Sequence, residues 1–179
     1  MSSSSAFQQA LAEGVLVFDG AMGTEIYRHH VFTNRCFDEL CLVDEKLIRG
    51  IHADYCEAGA EFAITQPVFD PEALLRFLDE VGDCRIPIVA GIWPLASYRN
   101  ALFMQNEVPG VEIPESVMQR MESAESREDQ LAMGVTIAQE SVRRVHQRVA
   151  GIQVSAPFGK IATALAVIEG WDEAVGGRQ

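Results

Sequence analysis

Positive charge is scarce in this chain: 14 Lys and Arg stand against 26 Asp and Glu, a formal net charge of −12. No basic cluster is longer than the pair Arg143 and Arg144. Such a surface repels phosphate backbones and anionic headgroups, so neither nucleic acid nor membrane is an expected partner. Long apolar runs are also missing, and none approaches the roughly 18 residues of a membrane span. Residues 1–10, MSSSSAFQQA, have neither the basic segment nor the apolar core of a signal peptide. They read as a disordered leader, and the location expected is cytoplasmic. Paired cysteines are absent too. Cys36, Cys41, Cys56 and Cys84 fall at irregular spacings with no Cys-x-x-Cys, which reads as buried or partly buried thiols in a reducing compartment. His52 and Cys56 are four apart and share a helix face. Nothing completes a ligand set with them or with His29 and His30, so zinc is not expected.

What is present suits one domain. The chain has 179 residues, of which 48% are apolar and 22% charged, enough for a sizeable core. Residues 15–18 (VLVF) form a short apolar run closed by Asp19 and Gly20, the signature of a buried strand. Residues 44–58 place Leu47, Ile51, Tyr55 and Ala58 at helical spacing, with Asp44 and Glu45 at the start and Gly59 as the stop. A second strand is expected over 62–66, ended by Pro67. A helix over 71–81 follows, with Leu74, Leu75, Phe77 and Leu78 inward. The third strand, 86–92, is followed by a helix over about 96–106. Beyond an irregular Pro/Gly segment, Pro114 opens a short helix. Ser126 to Asp129 then resembles a capping box before a long helix striped by Leu131, Val135, Ala138, Val142 and Val145. The fourth strand is 152–155 and the fourth principal helix 161–169. The tail after Gly170 reads as frayed.

Strands alternating with helices argue for βαβ units and a parallel sheet. Right-handed crossovers put the strand ends 19–20, 65–66, 91–94 and 155–157 on one face, where α/β proteins place their sites. A complete (β/α)8 barrel takes about 250 residues. The expected fold is therefore α/β, a partial TIM-type barrel of about four βα units with parallel strands. Its two open edges favour a homodimer or other self-association.

Two segments at that face invite chemistry. In DGAMGTE, residues 19–25, the glycines let backbone amides approach a ligand and Asp19 can bind an ammonium group; a tight turn with a helix cap fits equally well. Gly159 and Lys160 open the last helix, where free amides and a positive charge suit phosphate or a carboxylate. An ordinary turn with a solvated lysine explains them too. Gln66 is a polar amide after an apolar strand and needs a partner.

The run DGAMGTEIYRHHVFTNRCFDELCLVDEKLIRGIHADYCEAGAE resembles the first strand–loop–helix unit of the homocysteine S-methyltransferase family. That resemblance implies that Asp19 and Gly20 help hold the amino acid group of homocysteine. From Glu61 the sequence changes character. FAITQPVFDPEALLRFL, IPIVAGIWPLASYRNALFMQNEVPGVEIP and GIQVSAPFGKIATALAVIEG resemble the later barrel units of methylenetetrahydrofolate reductases. That resemblance implies that Gln66 binds the folate pterin, with Tyr98 and Lys160 also at the substrate. It further implies FAD as the carrier of hydride from NAD(P)H to 5,10-methylenetetrahydrofolate. Both families occur joined on one polypeptide in some bacteria, methyltransferase first. The organisation expected is a methyltransferase-like first unit over 11–60, reductase-like units over 61–170 and a tail over 171–179, joined by an internal deletion or recombination near Glu61. The Gly-Gly-Cys-Cys strand ends that hold the methyltransferase zinc do not occur in the sequence, which argues against methyl transfer. The resemblance makes the chain a reductase-like protein of one-carbon and methionine metabolism with impaired or no activity. The alternative is a non-catalytic half-barrel that binds folate or an amino acid. No catalytic residue is assigned.

Overall fold

In the computed structural model, residues 9, 12–14, 17, 20–31, 40–80, 86–108 and 111–176 are described. In chain order the elements are α1 (Met22–Arg28), α2 (Leu40–Val43), α3 (Glu45–Glu57), β1 (Ala63–Pro67), α4 (Pro71–Glu80) and β2 (Ile88–Ile92). There follow α5 (Tyr98–Glu107), α6 (Glu115–Ser123), α7 (Arg127–Val145), β3 (Gly151–Val154), a 3-10 turn (Pro157–Gly159) and α8 (Ile161–Gly176). The three strands form one parallel sheet in the order β1-β2-β3, with Ala63 beside Ile88 and Val89 beside Gly151. This is the α/β architecture of a partial (β/α)8 barrel. The expected first strand, 15–18, lies outside the described residues except for Val17. The Val17 carbonyl accepts the Glu61 N–H at 2.6 Å.

Burial follows position in the sheet. From Val89 to Ile92 the central strand β2 is buried throughout, whereas β1 and β3 are largely half-buried. Parallel strands of this kind are covered by helices on their faces, which explains why IPIVAGI reads as one unbroken apolar run. One core lies between sheet and helices and contains Leu74, Leu78, Ala90, Ile92, Ala138, Val142, Val145 and Val167. A second gathers α5, α6 and α7 around Met121, Leu95 and Ile137. A third holds Ile26, Leu40, Ile48 and Ile51 between α1, α2 and α3.

Local signals set most boundaries. The Asp44 carboxylate accepts the Leu47 N–H at 3.2 Å, and Gly59 leaves α3 with φ +102°. Asp70 accepts the N–H groups of Glu72 (2.9 Å) and Ala73 (3.1 Å) ahead of Pro71, a residue suited to a first turn. The expected capping box is present: Ser126 Oγ accepts the Asp129 N–H at 3.0 Å, and the Asp129 carboxylate accepts the Ser126 N–H at 3.4 Å.

Several expectations need correction. Phe77 is not inward but 49% exposed, because α4 seats only the row Leu74 and Leu78 on the sheet. Phe77 points about 100° round the helix from Leu78. In α7 the buried row includes Gly134, Ile137 and Ser141, whereas Leu131 and Val135 are half-buried. The chain does not fray at Gly170, since α8 continues to Gly176. There the glycine is a packing residue: a Cβ would sit 2.8 Å from Gln139 Cγ, on the helix alongside. Cys56 is an exposed free thiol rather than a buried one, on the outer face of α3. Cys36 and Cys84 lie outside the described residues. No described helix is long and apolar enough to cross a membrane.

Among the described glycines, Gly134 leaves the least room for a side chain. A Cβ there would stand 1.8 Å from the Leu95 carbonyl oxygen, so α7 lies directly on the chain leaving β2. Ion pairs then tie α7 and its exit to its neighbours. Arg144 bonds Glu72 of α4, Arg148 bonds Asp79 at 2.6 Å, and Arg120 of α6 grips Glu140 with bonds of 2.6 and 2.9 Å. The guanidinium partners hold the Glu72 and Glu140 carboxyls below the usual carboxylate range.

Two tests follow from this packing. Gly134→Ala should cost about 3 kcal/mol or more by overpacking. Gly50→Ala, where a Cβ meets nothing, should raise stability by about 0.5–1 kcal/mol. Urea unfolding of both variants reads the contrast, and equal effects would refute the contact. Because the two carboxyls are depressed in the folded state, their contribution is full above the ordinary carboxylate range and fades as pH falls through the folded-state values. Glu140→Gln should therefore cost no more than about 1 kcal/mol at neutral pH, as exposed pairs do, and should flatten the acid limb of the stability profile. An unchanged acid limb would refute this assignment.

Candidate functional site

The strands place their C-terminal ends on one edge of the sheet, and the residues expected to bind a ligand follow from that polarity. Gln66 is the penultimate residue of β1, Tyr98 the first residue of α5 after β2, and Lys160 the residue between the 3-10 turn and α8. All three therefore belong to the same edge. Gln66 is exposed, and its side-chain amide has no hydrogen-bond partner among the described residues.

What presents Gln66 is a break in the ladder. The β1–β2 register shifts between Ile64 and Pro67. Thr65 Oγ1 fills the gap: it accepts the Gly91 N–H at 3.0 Å and donates to the Gln66 carbonyl at 2.7 Å. Gly91 has to be glycine here, since a Cβ would meet the Thr65 carbonyl oxygen at 2.6 Å. A bulge of this kind re-aims one side chain at the end of a strand. Thr65 and Gly91 were not apparent as positioning residues from sequence. The one local signal was a glycine inside an apolar strand.

Past β2 the chain is fixed by caps. Ser97 Oγ accepts the Asn100 N–H at 3.1 Å, Asn100 Oδ1 accepts the Ala96 N–H at 3.2 Å, and Gln130 Oε1 of α7 accepts the Tyr98 N–H at 3.0 Å. The Tyr98 ring is half-buried and packs with Trp93 against the α5–α6–α7 core. The Trp93 indole N–H is buried with no partner among the described residues. After β3, Phe158 (φ 54°) and Gly159 (φ 71°) make a left-handed turn. The turn uses two of its own amides, Gly159 N–H to Ala156 O at 3.0 Å and Lys160 N–H to Pro157 O at 3.2 Å. Lys160 is exposed, and so is Phe158, at 78%.

The other expected site sits on α1. Asp19 lies outside the described residues. Gly20 faces the Tyr55 ring, 2.7 Å from where a Cβ would be, and the Tyr55 hydroxyl donates to the Ala21 carbonyl at 3.3 Å. The glycine-containing stretch is not a long loop, since α1 starts at Met22 and takes Gly23 into its first turn. Two shallow clefts lined by described residues, of about 370 and 300 Å³, open between α1 and α3 beside Glu25, Arg28, His29 and Asp54. Among the described residues no group of three or more His, Cys, Asp or Glu is placed to hold a metal ion.

Comparison with known proteins adds two families. A family model for methylenetetrahydrofolate reductase matches residues 49–155, and one for homocysteine S-methyltransferase matches residues 16–67. The chain is 31% identical over 102 residues to methylenetetrahydrofolate reductase 2 of Schizosaccharomyces pombe. That match covers 53% of this chain and 16% of the relative. The two family spans overlap over 49–67, which includes Glu61 and all of β1.

The bulge at Thr65 gives a direct test. Thr65→Val keeps the shape and strand propensity but leaves the Gly91 N–H unpaired, at a cost of about 1–2 kcal/mol. Faster hydrogen exchange at the Gly91 amide should accompany the lower unfolding midpoint. An unchanged exchange rate would show that the hydroxyl does not bridge the ladder.

Proposed function

The chain belongs to the methylenetetrahydrofolate reductase family, and from that membership we propose that it is a folate-binding segment of the reductase type that does not by itself complete the family's hydride transfer. The observation that carries this reading is Gln66. It lies within the family span, at the end of a strand, with an exposed amide that has no partner among the described residues. One planar carboxamide offers two donors and an acceptor, which matches the alternating donors and acceptors along a pterin edge. Lys160, on the same edge, supplies a cation for a folate carboxylate on an otherwise acidic chain.

FAD is the cofactor that the family implies, and no flavin contact is assigned to the described residues. The turn before α8 spends two amides on its own carbonyls, which leaves fewer for a pyrophosphate. The two clefts described above, between α1 and α3, are not at the strand ends. A flavin ring needs a deep, largely apolar pocket. No hydride step is assigned to this chain, and methyl transfer to homocysteine is not proposed. The relative's activity belongs to a protein of which the match spans 16%.

The test uses the purified chain. After incubation with FAD and desalting, its visible spectrum should show no flavin band, while equilibrium dialysis with 5-methyltetrahydrofolate should show binding. Gln66→Ala should weaken that binding by about tenfold, the worth of one well-placed hydrogen bond. A coeluting flavin band with NADH-dependent folate reduction would make the chain a working reductase instead. Absence of any folate binding would remove the proposal altogether.

A further inference from the structure

Helix α8 has two apolar faces, and the sheet accounts for only one. Ala164, Val167 and Gly170 are buried against α7 and β3, where Gln139 Nε2 donates to the Ala166 carbonyl at 2.7 Å. On the opposite side Ile161 is 67% exposed, Leu165 54% and Ile168 38%, with Phe158 just ahead of them. Within the helix the steps from 161 to 165 and 168 are four and three residues, and Phe158 stands ahead of them on the non-helical turn. That alternation is the narrow seam by which one helix packs along another, not the broad face that a helix lays on a sheet. Next to the seam, β3 pairs with β2 on one side and has no second strand among the described residues. Phe158 is held outward in the left-handed region, an unfavourable conformation for a residue other than glycine.

Charge identifies the partner. The chain carries −12 overall, yet between residues 157 and 171 the only charged side chains are Lys160 and Glu169, one at each end of the seam. Asp172 and Glu173 follow Glu169 in α8, so one end of the helix is acidic while Lys160 precedes the other, and a copy fits in antiparallel register. A parallel pairing would set Lys160 against Lys160 and Glu169 against Glu169. An antiparallel pairing centred on Leu165 brings each Lys160 within one residue of level with the Glu169 opposite. A membrane surface would call for a basic flank, and this helix has no cation of its own, with the single Lys160 just ahead of it.

We propose that α8 is a self-association surface, on which two copies of this chain pack Ile161, Leu165 and Ile168 antiparallel about a two-fold axis and pair Lys160 with Glu169 across it. The contact is isologous, so every substitution acts twice.

Light scattering and sedimentation velocity on the full chain over a dilution series read this out. The expected result is a concentration-dependent dimer. Leu165→Glu places two carboxylates at the axis and should raise the dimer dissociation constant by about a hundredfold or more. Leu165 is a surface residue, so far-UV circular dichroism and the unfolding midpoint should stay those of the parent. Lys160→Glu should weaken the dimer, and Lys160→Glu combined with Glu169→Lys should restore it. A chain that is monomeric at every concentration would overturn the proposal, as would a dimer indifferent to Leu165→Glu. Failure of the charge exchange to restore association would overturn the antiparallel arrangement.

Discussion

The contact between Gly134 and the Leu95 backbone sets the geometry of the rest of the fold. With no side chain between them, α7 approaches β2's exit as closely as main chain allows. From that point the helix runs back along the sheet and buries Ala138, Val142 and Val145 against β2 and its flanks. Its outer residues reach α4 through Arg144, α6 through Glu140 and α8 through Gln139. Three helices thus take their positions from one. A shift of α7 would move the segment that carries Trp93, Pro94 and Leu95, and with it the Gln130 bond that fixes the start of α5. Packed interiors transmit such displacements rather than absorb them.

Much of this was legible in the residues. Strand spans over 62–66, 86–92 and 152–155 differ from the observed ones by one or two residues, because apolar runs closed by Gly, Pro or Ser leave little choice. The capping box at Ser126 and the start of α3 at Asp44 were equally plain, since both depend on side chains within three residues of the bonds they make. What was not legible depends on distant neighbours. Gly170 looks like a helix stop until Gln139 is found beside it. Phe77 looks buried because apolarity cannot tell the sheet-facing row of α4 from the one beside it.

The site divides in the same way. Gln66 stood out as a polar residue ending an apolar strand, and it lies within the reductase-family span found by comparison, 49–155. The hydroxyl that bridges the ladder beside it was hidden, since Thr65 meets Gly91 across 26 residues of sequence. Tyr98 was expected at the ligand and is seen packed with Trp93 on the helical core. Its backbone, not only its ring, ties the edge of the sheet to α7.

The bond between Glu61 and Val17 has a meaning beyond stability. It closes the span matched by the methyltransferase model onto the stretch that the reductase model also matches, and it does so through a main-chain N–H and a carbonyl. The second link, from the Val17 N–H to the Glu61 carboxylate at 3.3 Å, likewise asks nothing of the side chain at position 17. Peptide groups are the same in every barrel, so a strand–helix unit can dock beside one of foreign descent. Lineages that share this repeating layout can therefore exchange whole units as interchangeable parts. In this chain two family models overlap over residues 49–67, and β1 pairs with β2 from within that overlap.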